Sequence, residues 1–147
     1  MEDEYFAMQA GPPGVAQGLG RYFDVDAIAP VEFARGLAFR PVLGERLLVN
    51  FVRYDPHSVA PMHAHEEEQV TFVVEGEFEF DLDGDVRTMR AGNAVLIPPH
   101  VPHGARTLDT PCFEIDVFSP PRRALIEAAR RAAATDAVPN GGTESEP

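Results

Sequence analysis

Between residues 37 and 118 the sequence is divided into short runs of β-branched and aromatic residues, separated by glycine, proline or aspartate. The runs are GLAFRPV, ERLLVNFVRY, QVTFVV, EFEFDL, VRTMR, AVLIP and CFEIDVF. Runs of this length and composition are typical of β-strands, and the DGD that joins EFEFDL to VRTMR is a hairpin turn signal. No crossover helix is predicted between the runs, so this part of the chain predicts an all-β sandwich or small barrel.

The two ends of the chain differ from this central part. Residues 1–36 are expected to form an N-terminal arm, because most of this segment has no hydrophobic period, although residues 24–35 could hold a short helix or turn. Ser119, followed by two prolines, is a favourable helix start, which predicts one C-terminal helix over residues 121–134. Residues 135–147 are polar and are expected to be disordered.

Composition limits the classes of function. The chain has 147 residues, which suffices for one domain with a core, and its net charge of -12 argues against binding to nucleic acid phosphates. The acidic N-terminus does not resemble a signal peptide, and no apolar run reaches membrane-spanning length. The single cysteine, Cys112, cannot form an internal disulfide. We therefore expect a cytoplasmic protein without a nucleic-acid or membrane partner.

Four of the five histidines fall in two places, His63/His65 and His100/His103. On a strand, residues i and i+2 point to the same face, and Gln69 has the same parity as His63 and His65. His103 is expected in a loop that follows a later strand. Histidine clusters bind divalent transition metals, although a single HxH pair is more often only a surface pattern.

Neighbouring residues leave alternatives open. Glu66, Glu67 and Glu68 are expected to be solvated charges, and Glu68 becomes the candidate ligand in place of Gln69 if the register is shifted by one residue. His57 lies in YDPHSVAP and is expected in a turn or on the surface.

Two motifs in the sequence resemble the paired motifs of the cupin superfamily. They are HAHEEEQVTFVVEG at residues 63–76 and GNAVLIPPHVPH at residues 92–103. The positions that meet the motif spacing are His63, His65, Gln69, Gly76, Gly92, Pro98 and His103. The resemblance covers roughly residues 37–120. It implies a single-domain cupin double-stranded β-barrel (jelly roll), followed by the short C-terminal helix, with one metal inside and a homodimeric assembly.

The resemblance also implies a set of site residues. The implied metal ligands are His63, His65, Gln69 and His103. His100 departs from the family pattern, in which Gly or Asn is more common at this position. Its role is open between a solvated loop residue and a group at the mouth of the site.

The proposed ligand set indicates a type of chemistry. Three neutral imidazoles and a neutral amide leave the charge of a divalent metal uncompensated, whereas non-haem iron oxygenases favour histidines with a carboxylate. An amide ligand therefore favours Lewis-acid chemistry over dioxygen activation. Zn is the favoured metal, and Ni, Mn, Co or Fe(II) also accept this set. A redox dioxygenase is disfavoured without being forbidden.

The C-terminal motif EIDVFSPPRR, residues 114–123, ends in DVFSPPR and resembles the ending of small cupins that linearise unsaturated uronates from pectin or alginate. This resemblance implies that Asp116 transfers a proton, Phe118 is a wall of the substrate pocket and Arg122 binds a carboxylate. In the alternative, Phe113, Ile115 and Val117 face the core, while Glu114 and Asp116 face solvent. Strand alternation fits both interpretations.

The segments GERLLVNFV, HEEEQ, DGDVRTMRAG and DVFSPPR together also resemble cupin-type cyclases of bacterial aromatic polyketide pathways. We expect this activity first: aldol-type cyclisation of a poly-β-ketone, with Asp116 or His100 as the base. Ring opening of an unsaturated uronate is the alternative activity. A non-catalytic cupin that binds a small ligand is the alternative of another class.

Overall fold

The structure of the chain, a computed structural model, describes residues 2–8, 11–13 and 18–136. Its strands are β1 (Val31–Ala34), β2 (Leu37–Leu43), β3 (Leu48–Tyr54), β4 (Val59–His63), β5 (Glu68–Leu82), β6 (Asp85–Arg90), β7 (Ala94–Ile97), β8 (His103–Arg106) and β9 (Cys112–Ser119). The helices are α1 (Glu2–Tyr5), a short 3-10 helix (Val25–Ala27) and α2 (Arg123–Asp136). In the segment expected as a short helix or turn, the 3-10 helix is followed by strand β1.

The strands pair antiparallel in the order β1-β2-β3-β9-β5-β8-β4, and β6 and β7 also pair with β5. Strand β5 belongs to two sheets, because its first half pairs with β7 and β9 and its second half with β6 and β8. The two sheets enclose one interior in a nearly closed barrel. This confirms the predicted all-β barrel with one C-terminal helix.

Strand β5 runs through 15 residues, so the prediction of two separate strands, QVTFVV and EFEFDL, is wrong. The pairing with β9 shifts register between Val73 and Glu75, and Gly76 has φ +76°. A side chain at Gly76 would collide with the carbonyl oxygen of Pro111. The glycine therefore allows the strand to bend from one sheet into the other, where the sequence suggested a break.

Strand β9 decides which face of the motif EIDVF lies inside the barrel. Its buried residues are Cys112, Glu114, Asp116 and Phe118, and the residues between them are partly exposed. The alternative in which Glu114 and Asp116 face solvent is therefore wrong. Strand β9 lies between β3 and β5 in the sheet, so its inner face forms part of the barrel interior.

Helix α2 packs against the barrel. Leu125 packs in a buried cluster with Leu48 of β3 and Phe118 of β9. The helix occupies residues 123–136, compared with the expected 121–134. Except for its first two residues, which belong to α2, the tail expected to be disordered lies outside the described residues. No helix in the described parts of the chain is long and apolar enough to cross a membrane.

Candidate metal centre

Three histidines from separate positions meet inside the barrel. His63 is the last residue of β4, and His103 is the first residue of β8 and pairs with it across the sheet. His65 lies two residues beyond the end of β4, so strand parity does not place it, and His103 lies in a strand where a loop was expected. A candidate ligand atom from each ring lies within 4.8 Å of the others.

Hydrogen bonds fix how the three rings present their nitrogens. In each ring Nδ1 faces a backbone carbonyl: His63 faces Pro61 at 2.7 Å, His65 faces Glu67 at 3.0 Å and His103 faces Val101 at 2.9 Å. A carbonyl only accepts, so Nδ1 donates and Nε2 keeps its lone pair. Nε2 of His103 is buried without a hydrogen-bond partner. This arrangement suits a divalent transition metal, which needs neutral imidazoles with free lone pairs.

Burial favours the neutral form of the His65 and His103 imidazoles. Burial lowers the pKa of His103 to about 4, and burial followed by the nearby Arg122 lowers the pKa of His65. The carboxylate of Glu67 lies 3.3 Å from Nδ1 of His65 and is only 6% exposed, so the prediction that Glu67 is a solvated charge is wrong. A carboxylate behind a histidine orients the ring and makes it a stronger metal ligand.

Gln69 lies next to the histidines and faces inward on β5. Its Oε1 is 3.0 Å from Nε2 of His65, and its Nε2 donates to Thr71 Oγ1 at 2.9 Å and to Asp116 Oδ1 at 3.0 Å. These donor bonds fix the amide with its oxygen towards His65. Two metal ligands at ordinary bond lengths lie roughly 3.0–3.4 Å apart, so the spacing between the amide oxygen and the imidazole fits a shared ion. Glu68 is exposed on the opposite face.

The buried carboxylate of Asp116 explains why an amide suits position 69. Asp116 is 8% exposed, and its Oδ1 also accepts a hydrogen bond from Thr71 Oγ1 at 2.6 Å. A glutamate at position 69 would set two anions against each other in a buried site and would lose the donor to Asp116. With an amide at position 69, the negative charge that can offset a metal ion lies on Asp116, which is hydrogen-bonded to the candidate ligand Gln69.

We predict that Gln69→Glu destabilises the metal-free protein by about 1–3 kcal/mol, because it removes two buried hydrogen bonds and adds a charge beside Asp116. Chemical denaturation measures the change. Glu68→Gln is the matched control, since Glu68 is the exposed neighbour on the same strand and should stay within about 0.5 kcal/mol of wild type. Equal stability of Gln69→Glu and wild type would contradict this account of the amide.

Phe118 and Arg122 extend the site towards α2. The ring of Phe118 is 2% exposed, and its centroid lies 5.7 Å from that of His65. The guanidinium carbon of Arg122 also lies 5.7 Å from the centroid of Phe118. Burial lowers the pKa of Arg122, while Glu67 and Asp116 oppose this shift. Arg122 is therefore the cation beside the two buried carboxylates.

His100 lies at the edge of the site. Its side chain is exposed, its φ is +65°, and its backbone N–H donates to the carbonyl of His65 at 2.8 Å. Positive φ is the backbone conformation that glycine and asparagine adopt most readily. The contact that the structure gives His100 with the site is thus made by its backbone.

Sequence reasoning missed Thr71 and Glu67 as neighbours of the site. Thr71 has the inward parity of Gln69 on β5, which is a signal that could have identified it. Glu67 has no such signal, because it lies in the loop that precedes β5 and is buried by the way this loop folds.

A histidine cluster that could hold a metal ion, inside a small antiparallel barrel of two sheets with a buried amide and carboxylate beside it, is characteristic of the cupin class. The Cupin domain family matches residues 50–118. The chain belongs to the cupin superfamily, as its two motifs predicted.

The chain is also similar to individual cupins. The pectin degradation protein KdgF of Dickeya dadantii (strain 3937) is 27% identical over 104 residues, which cover 69% of this chain and 94% of that protein. The structure of KdgF from Halomonas sp. is 31% identical with a TM-score of 0.69, covering 73% of this chain and 99% of that one. The polyketide cyclase RemF from Streptomyces resistomycificus is 23% identical with a TM-score of 0.61, covering 69% of this chain and 80% of that one. At that identity the likeness to RemF bears on the fold alone.

Proposed function

We propose that this protein is a metal-dependent enzyme that opens the ring of an unsaturated uronate. The observation that carries the proposal is the buried Asp116, which is hydrogen-bonded to Gln69 beside three histidines and has the cation Arg122 nearby. The likeness to two KdgF proteins supports this activity over polyketide cyclisation, which we expected first from the sequence.

The chemistry of the substrate requires one proton to move. In a 4,5-unsaturated uronate the ring oxygen belongs both to a hemiacetal and to an enol ether. When the anomeric hydroxyl loses its proton, a C1 carbonyl forms, the bond from C1 to the ring oxygen breaks, and the ring oxygen leaves as an enolate. Protonation of that enolate at C4 gives a ketone. The reaction is an isomerisation, so one base that accepts and returns a proton is sufficient.

Asp116 is the group that we assign to this proton transfer. Its Oδ1 accepts hydrogen bonds from Thr71 and Gln69, so neither of these donors occupies Oδ2. Burial raises the pKa of Asp116, which makes it a stronger base than an exposed aspartate. A carboxylate held this way has a fixed orientation, and each of its oxygens has two lone pairs, so Oδ2 can accept the anomeric proton.

His63, His65, Gln69 and His103 would hold a divalent metal, with Zn favoured. When bound, the ion supplies Lewis-acid polarisation of a substrate oxygen, which acidifies the hydroxyl that loses its proton.

Arg122 and Phe118 bind the substrate in this proposal. The substrate is an anion and the protein carries a net charge of -12, so a local cation has to offset the repulsion. The guanidinium of Arg122 can bind a carboxylate by donating two parallel hydrogen bonds to it. Phe118, which lies close to both Arg122 and the ring of His65, supplies an apolar wall.

The proposed activity is tested by following an unsaturated uronate by NMR in the presence of the zinc-loaded protein. We expect the signals of the ring form to disappear faster than in buffer, and those of the open-chain ketone to appear. Binding of the uronate without any acceleration would contradict an enzymatic role and would favour the non-catalytic ligand-binding alternative. A poly-β-ketone assayed in parallel tests the cyclase alternative.

The variant His100→Gly tests whether Asp116 or His100 is the base. Glycine adopts the positive φ of this position and keeps the hydrogen bond to His65, so we expect fold, zinc affinity and turnover to be retained. His57→Gly is the matched control, because His57 also has a positive φ (57°) and an exposed side chain. A loss of the roughly 10²–10⁴-fold size that removal of a proton-transfer group causes would reassign the base to His100.

A further inference from the structure

A second buried carboxyl group lies directly behind Asp116. Glu114 is two residues earlier on β9, faces the same interior and is 3% exposed. Asp116 and the Tyr54 hydroxyl are its polar neighbours, and its Oε2 is buried without a hydrogen-bond partner among the described residues. The mechanism above does not use this residue.

Among the described residues, the surroundings of Glu114 contain titratable groups but no cation that offsets its charge. Strand β3 contributes the Tyr54 hydroxyl, and β9 itself contributes Cys112 and Asp116. On β5, the residue paired with Glu114 is the apolar Val73. Burial raises the pKa of Tyr54 well above its usual value and that of Cys112 to about 12, so both are neutral. An ionised Glu114 would therefore be a buried, uncompensated charge.

The two touching carboxyl groups differ in the donors around them. Asp116 accepts from Thr71 and Gln69 and lies near Arg122, whereas Glu114 has only the Tyr54 hydroxyl. Two adjacent carboxylates in a buried site share one proton, because ionising both is too costly. The group with fewer donors keeps that proton. Burial and the neighbouring Asp116 accordingly raise the pKa of Glu114 well above its usual range.

We propose that Glu114 is a positioning residue that remains protonated in the folded protein and donates a hydrogen bond to Asp116, which fixes the orientation of that carboxylate. The inference deepens the proposed function, since its catalytic part rests on Asp116 as the proton-transfer group. Asp116 then receives three hydrogen bonds, from Thr71, Gln69 and Glu114. Asp116 also holds the amide of Gln69, so Glu114 acts on the metal centre through Asp116.

Infrared spectroscopy of the full chain at neutral pH tests the protonation directly. We expect a carbonyl band of a protonated carboxylic acid that is absent from Glu114→Gln. Labelling only the glutamate side chains with ¹³C should shift this band, and labelling only the aspartate side chains should not. Absence of the band, or a shift with aspartate labelling instead, would overturn the proposal whether or not the protein turns over a uronate.

Two variants test the positioning role. Glu114→Gln keeps a donor towards Asp116 and should retain wild-type kcat, whereas Glu114→Leu keeps the volume but removes the donor. For Glu114→Leu we expect kcat and zinc affinity each to fall about tenfold, at the low end of what loss of an outer partner costs, with KM unchanged. Thermal unfolding checks that both variants are folded. Wild-type kcat and zinc affinity in Glu114→Leu would overturn the positioning role. So would losses in Glu114→Gln as large as those in Glu114→Leu.

These experiments distinguish failure of the inference about Glu114 from failure of the proposed function. If wild type does not open the uronate ring, the proposed function fails, while the infrared band and the zinc affinities of the two variants still decide whether Glu114 is protonated and positions Asp116. If wild type is active but the band is absent, the proposed function stands and the inference fails.

Discussion

Replacing His103 with alanine is expected to abolish both metal binding and ring opening while the barrel stays folded. His103 is buried, its Nδ1 is hydrogen-bonded to the carbonyl of Val101, and its Nε2 has no hydrogen-bond partner in the part of the chain that the structure describes. In the proposed function this imidazole binds the metal, and its loss removes one of three histidine ligands. We expect zinc affinity to fall by more than the roughly 10–100-fold that loss of an outer-shell partner costs.

Zinc titration by calorimetry and metal content after dialysis measure the first effect, and the NMR assay measures the second. Circular dichroism checks that the strands persist, because alanine removes a side chain but no backbone hydrogen bond. His57→Ala is the matched control, since His57 is exposed and contacts Asp109 instead of the site. Full turnover in His103→Ala would show that the three histidines are not a catalytic metal centre.

The sequence predicted the histidine cluster for a reason that is only partly correct. Period-two alternation places His63 inward, but β4 ends there, and His65 is brought back to the cluster by the fold of its loop. The bonds from its Nδ1 to Glu67 and from the His100 N–H to its carbonyl hold this loop. Such contacts join residues without a common period, so motif spacing could predict the cluster while strand geometry could not.

Alternation along β9 predicted a strand but could not show which face lies inside. The outward residues Phe113, Ile115 and Val117 are apolar, while two of the inward residues are acids. Hydrophobic pattern assigns an interior only when the interior is apolar, and a barrel that builds a site inside itself breaks this rule. The pairing of Asp116 with Thr71 across the sheet, which places both inside, exists only in the folded chain. The homodimer and the metal identity stay predictions.

Asp116→Asn is expected to lower the rate of ring opening by roughly 10²–10⁴-fold, which is the contribution of a positioned proton-transfer group. Asparagine has nearly the same shape, and its carbonyl oxygen can accept the hydrogen bonds that Thr71 and Gln69 now give to Oδ1. What it cannot do is accept the anomeric proton. The effect should therefore fall on kcat, and zinc affinity should decline far less than in His103→Ala.

Steady-state kinetics in the NMR assay, with zinc content measured on the same samples, tests this separation of chemistry from metal binding. Asp85→Asn is the matched control, because Asp85 is exposed and paired only with Arg87 in a hairpin. If Asp116→Asn loses zinc as completely as His103→Ala, the carboxylate serves mainly to hold Gln69. If it keeps both zinc and full turnover, another group moves the proton. Only loss of kcat with zinc retained supports Asp116 as the base, because that combination requires an intact centre that has lost its proton acceptor.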